Sequence, residues 1–185
     1  LDQHDVDEKI LDQIKRDIKR LETISARFSK IGSLPNKKEV KLSAVADDLV
    51  SYMQIRMPKE VALHIHKNGD EKQVEVNSEL IAWVLENLIK NSIDAIRGKG
   101  TITIDMSWES TAIVTVQDTG SGISKKLQKT IFNPGITTKK RGWGLGLSLA
   151  KRIVEQYHGG KLRLAESSEK GSTFEIQLPL KQKYS

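Results

Sequence analysis

Two carboxamide side chains one helical turn apart are the first feature of this 185-residue chain that suggests chemistry. Asn87, Asn91 and Asp94 stand at i, i+4 and i+7 of an apolar-periodic segment, so they share one helix face. The plain interpretation is the solvent side of an amphipathic helix. Asparagine has weak helix propensity, however, and amide oxygens at this spacing suit Mg²⁺, whose other ligands are waters and phosphates.

A lone aspartate ends the alternating apolar segment "TAIVTVQD". Asp118 is followed by Gly120 and Gly122, which allow the chain to turn sharply. The pattern D-x-G-x-G is weak by itself, and an ordinary Asp–Gly turn would explain it. The functional interpretation is a buried carboxylate that accepts a hydrogen bond from an exocyclic amine, while the glycines let a flat ring approach closely.

The loop that follows is strongly basic. Residues 124–141 hold six lysine and arginine side chains and no acid, which equals the whole net charge of +6. Within "IFNPGITTKK", Phe132 is apolar in a polar loop, and Thr137 and Thr138 precede Lys139. A solvated loop is the plain alternative, but the length and charge of this one favour a lid over an anion.

The segment "RGWGLGLSLAKRIVEQYHGG" places glycines at every second position before an amphipathic helix. It is not a P-loop, because G-x-x-x-x-G-K-[ST] occurs nowhere in the chain, and Leu147 stands where the dinucleotide-binding fingerprint needs its last glycine. Free N–H groups at the start of a helix attract phosphate. We therefore expect Gly144 and Gly146 to bring the backbone close to a phosphate, with Gly142 as the rear hinge of the lid.

Periodic segments predict the elements that must position these residues. Residues 6–31 carry a heptad-like apolar stripe and predict one long bundle helix. From about residue 40 we predict a strand, a helix, a strand that turns at "NGD" to pair with "KQVEV", and a long helix capped by Asn77 or Ser78. The strands "GTITIDMSW" and "TAIVTVQD", the basic loop, a helix over about 144–158 and a closing hairpin follow.

These patterns predict an α+β fold, a two-layer α/β sandwich with one mostly antiparallel or mixed sheet, helices on one face, and one long bundle helix before it. The predicted domains are 1–35 and 36–185. The chain has no cysteine, which excludes disulfides and thiolate metal sites, and no apolar run near the ~20 residues of a membrane-spanning helix. Charges are mixed outside the basic loop, so no nucleic-acid partner is expected.

In this order, the four segments resemble the motifs of an ATPase superfamily. "LENLIKNSIDAI", "DTGSGI", "FNPGITTK" and "GWGLGLSLAKRIVEQYHGG" look like the N, G1, F and G2 boxes of the GHKL ATPases, which include histidine kinases, gyrase B, Hsp90 and MutL. The match runs from about residue 40 to 181. The last box and the compact lid resemble sensor histidine kinases, and "LETISARFSKIGSLP" is similar to a helix ending of NtrB/NtrY-like kinases.

The resemblance implies roles for individual residues. Asp118 would bond the adenine amino group, and Asn87 and Asn91 would face Mg²⁺ and the triphosphate of ATP. Asn87 stands where hydrolytic relatives carry a general-base glutamate, and Glu86 is one residue away, which implies phosphoryl transfer rather than efficient hydrolysis. The implied catalytic residues are Asn87, Glu86 and Lys139, and the implied ATP-binding residues are Asn87, Asn91, Asp94, Asp118, Gly120, Gly122, Ile123, Phe132, Thr137, Thr138, Lys139, Gly142, Gly144, Leu145, Gly146, Leu147 and Thr173.

The resemblance also implies partners. In a histidine kinase the γ-phosphoryl group goes to a histidine on a two-helix dimerisation domain, whose second helix residues 6–34 resemble. No "H-E-x-x-N-P"-like acceptor motif occurs, and His4 lacks that context. We therefore expect a truncated chain that binds ATP without ordinary self-phosphorylation.

The implied partners are the acceptor helix of the same or another kinase chain, a response-regulator receiver domain, and a second copy in the full-length protein. The implied location is the cytoplasm, including the cytoplasmic part of a membrane-anchored sensor. Two alternatives stay open at this point, an anti-sigma-type regulatory module and a gyrase- or MutL-like ATPase.

Overall fold

The structure, a computed structural model, describes residues 36–139 and 142–180. The helix predicted over 6–31 lies outside the described residues, as do Lys140 and Arg141 at the end of the basic loop. The helix and the domain boundary after residue 35 stay predictions.

Seven strands and four α-helices make up the regular structure of the described residues. In order they are β1 (Lys38–Val40), α1 (Leu42–Gln54), β2 (Val61–Asn68), β3 (Val74–Val76), α2 (Ser78–Ala95), β4 (Gly100–Trp108), β5 (Thr111–Asp118), α3 (Lys125–Gln128), α4 (Gly146–Arg152), β6 (Lys161–Ser168) and β7 (Gly171–Pro179). Five strands form one sheet in the spatial order β2-β4-β5-β7-β6. The pair β2–β4 is parallel and the other neighbours are antiparallel, so the sheet is mixed, as predicted.

The core lies between this sheet and α2. Asn77 caps α2, because its side-chain oxygen accepts a hydrogen bond from the Leu80 N–H at 3.0 Å. The buried side of α2 contacts β4, β5 and β7, and α1 and α4 pack against the same helix. Alternation along β5 buries Val114, Val116 and then Asp118, which carries a carboxylate to the end of an apolar row.

The pairing of β3 differs from the prediction. β3 does not turn back onto β2; it pairs antiparallel with β1, while β2 pairs with β4. The segment between β2 and β3 explains the difference. The Glu71 carboxylate accepts hydrogen bonds from the Ser43 N–H at 2.9 Å and the Ser43 hydroxyl at 2.7 Å, which caps the start of α1 and directs the chain away from β2.

The helix predicted over about 144–158 is divided. α4 ends at Arg152, and a π-helical turn, Ile153–Tyr157, continues it. The His158 Nδ1–H donates to the Ile153 carbonyl at 2.8 Å, and Nε2 accepts from the Asn77 N–H at 3.0 Å. The buried ring therefore ties the end of this helix to the start of α2.

Within residues 36–139 and 142–180, no helix is both long enough and apolar enough to cross a membrane.

Candidate functional site

Asp118 lies at the centre of the site and is 4% exposed. Its Oδ1 accepts hydrogen bonds from the Gly120 N–H at 2.8 Å and the Ser172 N–H at 3.3 Å, and Oδ2 accepts one from the Ser92 hydroxyl at 3.2 Å. Burial raises the pKa of this carboxyl above its ordinary value, and the three donors act in the opposite direction. The aspartate singled out in the sequence is therefore a buried, firmly oriented carboxylate.

The strand beside it, β7, brings Ser172 rather than Thr173 to Asp118. Ser172 pairs directly with Asp118 across the β5–β7 ladder and is buried. Thr173, one residue later, points to the opposite face of the sheet. The sequence carries a signal for this assignment, because the apolar residues of "GSTFEIQL" fall on the same alternate positions as Ser172.

The glycines after Asp118 are required by close packing. A Cβ at Gly120 would lie 2.7 Å from the Ala95 Cβ at the end of α2. Gly122 has a φ of 68°, and a Cβ there would collide with the Ser168 carbonyl. The loop is therefore held between α2 and the β6–β7 hairpin.

Asn87 and Gly146 meet where α2 packs on α4. A Cβ at Gly146 would collide with the Asn87 side-chain oxygen, so a glycine is needed for this approach. The Asn87 Nδ2 is buried and has no hydrogen-bond partner among the described residues. A buried donor without a partner destabilises the fold, and a hydrogen bond to a ligand oxygen would remove this cost.

The lid reaches α2 through Lys139. The Lys139 Nζ donates to the Asn91 Oδ1 at 2.8 Å and forms an ion pair with the Asp94 carboxylate. The Asn91 oxygen, which the sequence predicted as a ligand of Mg²⁺, thus contacts an ammonium group. No three His, Cys, Asp or Glu side chains of the described residues converge as a metal site, so a metal here would need amide and phosphate oxygens.

The front of the lid is anchored on the core. The Phe132 ring meets the Phe174 ring edge to face, with 6.3 Å between centroids, and the Lys151 Nζ lies 5.0 Å from the centre of the Phe132 ring. Ile131 beside it is buried. The apolar residue that stood out in the loop therefore attaches the lid to the sheet and to α4.

The rear of the lid depends on glycines. The Gly135 N–H donates to the Gly144 carbonyl at 3.1 Å. Gly144 has a φ of 66°, and a Cβ there would collide with the Gly135 backbone. A Cβ at Gly142 would lie 2.6 Å from the Thr137 Oγ1, which itself accepts the Lys139 N–H at 3.1 Å.

Four other predicted residues lie at the edge of these contacts. The Glu86 carboxylate accepts a hydrogen bond from Lys90, one turn along α2. Thr138 is exposed in the lid, Leu145 directly precedes α4 without a side-chain capping bond, and Leu147 is half-buried.

Sequence reasoning missed three serines. Ser92 and Ser172 donate to Asp118, while the Ser167 Oγ accepts the Ile123 N–H at 2.8 Å and lies 3.0 Å from the Ser172 Oγ. Their hydroxyls link α2, the loop after β5 and the β6–β7 hairpin. The sequence could have drawn attention to Ser92, because it directly follows Asn91. Its contact with Asp118, however, depends on tertiary packing.

Comparison with known families decides what this arrangement is. The profile of the histidine kinase-, DNA gyrase B-, and HSP90-like ATPases matches residues 76–182. The chain belongs to this ATPase family. The matched residues include α2, the Asp118 loop, the lid, α4 and β7, and the family implies ATP binding for this part of the chain.

The ATPase is also similar to sensor histidine kinases. It is 32% identical over 170 residues to sensor histidine kinase ZraS of Salmonella typhi, which covers 88% of this chain and 36% of ZraS. The chain thus spans about a third of the length of this curated relative.

Solved histidine kinase structures share the fold. The catalytic domain of histidine kinase ThkA matches with a TM-score of 0.71 at 30% identity, over 78% of this chain and 95% of that one. ThkA in complex with response regulator protein TrrA matches with a TM-score of 0.75 at 26% identity, over 100% of this chain and 55% of that one. The ATPase is a catalytic domain of the two-component sensor histidine kinase type.

Proposed function

We propose that this ATPase binds ATP together with Mg²⁺ and transfers the γ-phosphoryl group to a histidine on a dimerisation domain. The observation that carries the proposal is that consecutive residues of α2 hold the two ends of the site. Ser92 bonds Asp118, and Asn91 bonds Lys139. Neighbouring helix residues are about 100° apart around the axis, so an acceptor for the base and a cation for the phosphates are fixed side by side.

At the base end, Asp118 would accept the adenine amino group. Gly120, Gly122 and Ile123 form the loop against which the flat ring would lie. The β7 residue within reach of the base is Ser172 in place of Thr173, because only the former lies on the face of the sheet that carries Asp118.

At the phosphate end, Lys139 with Thr137 and Thr138 would cover the triphosphate, and the amides of 142–147 would face it. The unpaired Asn87 Nδ2 would donate to a phosphate oxygen. The oxygens of Asn87 and Asn91 fit Mg²⁺, since Asn91 already accepts a hydrogen bond from an ammonium group. When bound, the ion would neutralise the charge of the phosphates.

The site favours transfer over hydrolysis. Asn87 carries no basic group, and Glu86 is bonded to Lys90 on the same helix. In the proposed step, a nitrogen of the acceptor imidazole forms a bond to the γ-phosphorus as the bond to the bridging oxygen breaks, which releases ADP. The chain's own part is to position the nucleotide and exclude water beneath the lid.

The proposal extends to partners. They are an acceptor helix of the same or another chain, a response-regulator receiver domain, and a second copy of the full-length protein. The match to ThkA in its complex with a response regulator supports the receiver domain. The cytoplasm, where ATP is abundant, is the proposed location.

Two measurements test the proposal. Calorimetric titration with ATP should give binding that strengthens when Mg²⁺ is added. Incubation of the chain with γ-labelled ATP and a separately purified dimerisation domain should then yield acid-labile label on that domain's histidine. ATP binding without any transfer to acceptor domains would reject the kinase activity and leave a binding module, and no ATP binding would reject the site itself.

A further inference from the structure

We propose that Ser92 is a positioning residue that sets the preference of this site for a 6-aminopurine by holding one oxygen of Asp118. The inference rests on the proposed function in one respect, which is that Asp118 faces the base of the nucleotide. It adds a residue that sequence reasoning did not select.

The two oxygens of the Asp118 carboxylate are not equivalent. A carboxylate oxygen offers about two acceptor positions. Oδ1 uses both, for the N–H groups of Gly120 and Ser172. Oδ2 accepts one hydrogen bond from the described residues, that of the Ser92 hydroxyl, so the remaining position for a ligand donor is on Oδ2.

Ser92 determines which lone pair of Oδ2 remains. A serine within a helix commonly turns its hydroxyl to the carbonyl one turn earlier. Ser92 is 1% exposed and instead directs its hydroxyl across to β5. Because an ionised carboxylate only accepts, the serine must donate, and it thereby keeps Oδ2 in the acceptor form and fixes its orientation.

This arrangement suits an exocyclic amine. An amino group on the purine ring would donate to the free lone pair of Oδ2, whose other lone pair accepts the Ser92 hydroxyl. A 6-oxo group would instead place an acceptor against an acceptor. Sites built around a polar partner discriminate strongly against ligands that leave it unpaired.

A packing role alone predicts something different. If Ser92 only filled space between α2 and β5, its replacement would lower the stability or weaken all nucleotides alike. If it positions Oδ2, its replacement would weaken the nucleotides that carry the amino group. The ratio of two affinities therefore separates the roles where a single affinity does not.

The chain provides a matched control. Ser43 is also a nearly buried helical serine whose hydroxyl donates to a carboxylate, that of Glu71, and it lies at the start of α1. Ser43→Ala removes the same kind of bond outside the site. Any general cost of deleting a buried hydroxyl should appear in both alanine variants.

The experiment compares ATP with purine riboside triphosphate, which has hydrogen in place of the 6-amino group. Each is titrated with Mg²⁺ into the unsubstituted chain, Ser92→Ala and Ser43→Ala by calorimetry. The unsubstituted chain should prefer ATP by about tenfold or more. Ser92→Ala should reduce that ratio to below about threefold, with the affinity for the 6-hydrogen nucleotide changed less than about twofold, while Ser43→Ala keeps the ratio.

The outcomes are distinct. An unchanged ratio in Ser92→Ala, or an equal loss for both nucleotides, overturns the positioning role. Equal affinity of the unsubstituted chain for both nucleotides overturns it as well, whereas no binding of ATP rejects the proposed function first. If Ser92→Ala does not fold, Ser92→Cys has the same shape, a slightly larger side chain and a much weaker donor, and its ratio should likewise fall.

Discussion

The Lys139 Nζ donates a hydrogen bond to the Asn91 Oδ1 across 2.8 Å, so the lid is joined to α2 by a cation and an amide oxygen that both belong to the proposed phosphate end. The same ammonium pairs with Asp94. A side chain of the lid therefore contacts an oxygen that we propose for Mg²⁺.

Lys139→Gln should weaken ATP binding by about tenfold, because a charge-assisted contact to the phosphates is lost. The stability of the nucleotide-free domain should change by less than about 1 kcal/mol, since the Lys139 and Asp94 side chains are 44% and 54% exposed. Calorimetry and thermal unfolding measure the two effects. Lys129→Gln, in the same basic segment, is the control. Equal losses of ATP affinity in both variants would show that the effect comes from the net charge of the segment and not from the position of Lys139.

Asp118→Asn should abolish ATP binding, with a loss of about a hundredfold or more, because an amide places a donor where the base needs an acceptor. The fold should survive. Burial raises the pKa of Asp118, so its native state binds the proton more tightly than the unfolded chain, and stability falls as pH rises through the folded pKa. At neutral pH the uncharged asparagine avoids the free-energy cost of burying an ionised carboxylate.

Urea unfolding and calorimetry of the same Asp118→Asn preparation test both halves of this expectation. The midpoint of unfolding should equal or exceed that of the unsubstituted chain. A folded variant with unchanged ATP affinity would reject Asp118 as the acceptor for the adenine amino group.

Gly146→Ala should impair nucleotide binding through Asn87. Alanine favours a helix over glycine by up to about 1 kcal/mol, and Gly146 has no left-handed φ, so the backbone accepts it. The added Cβ would nevertheless collide with the Asn87 side-chain oxygen and displace it. We expect about a tenfold loss in ATP affinity with little loss in thermal stability.

A double-mutant cycle identifies the route of the Gly146→Ala effect. In an Asn87→Ala background the Cβ has no amide to displace, so Gly146→Ala should cost little further affinity. Additive losses in the double variant would place the effect elsewhere, such as in the backbone of the lid.

The stability of the domain should fall on mild acidification because of His158. Burial lowers the pKa of this ring, whose neutral form donates to the Ile153 carbonyl and accepts from Asn77. Protonation would set two N–H donors against each other at Nε2. The contribution is complete above the ordinary pKa of 6.5 and is lost as pH falls through the lower folded pKa.

Urea midpoints measured between about pH 8 and about pH 5 check the His158 prediction. His158→Gln should be less stable at the upper end and show a flatter dependence. His66→Gln, which removes an exposed histidine, should keep the original profile. A midpoint that stays constant on acidification in the unsubstituted chain speaks against this account.

Local patterns were sufficient for much of the fold. The 3.6-residue periodicity of α2 and the capping preference of Asn77 are properties of the segment itself, as are the alternation and turns of the two hairpins. Asp118 could be selected because a charged residue ends an apolar alternating strand. Its burial follows from that same alternation.

Contacts between distant residues decided the rest. The pairing of β3 depends on Glu71 reaching Ser43, and the π-helical turn depends on His158 bridging to another helix. The contact of Ser92 with Asp118 depends on the packing of α2 on β5, which local sequence patterns do not determine. The sequence could have shown that Ser172 and not Thr173 lies beside Asp118, because the alternation of β7 determines which residue is on that face.

The position of β7 has a consequence for synthesis of the chain. β7 is the last of the described strands along the sequence, yet it inserts between β5 and β6 and supplies the Ser172 N–H to Asp118. A ribosome-bound chain that has not yet released Gly171–Pro179 therefore lacks both a sheet neighbour for β5 and one donor to the carboxylate. The proposed nucleotide site is therefore complete only once β7 has been synthesised, after the other residues that we propose to bind ATP.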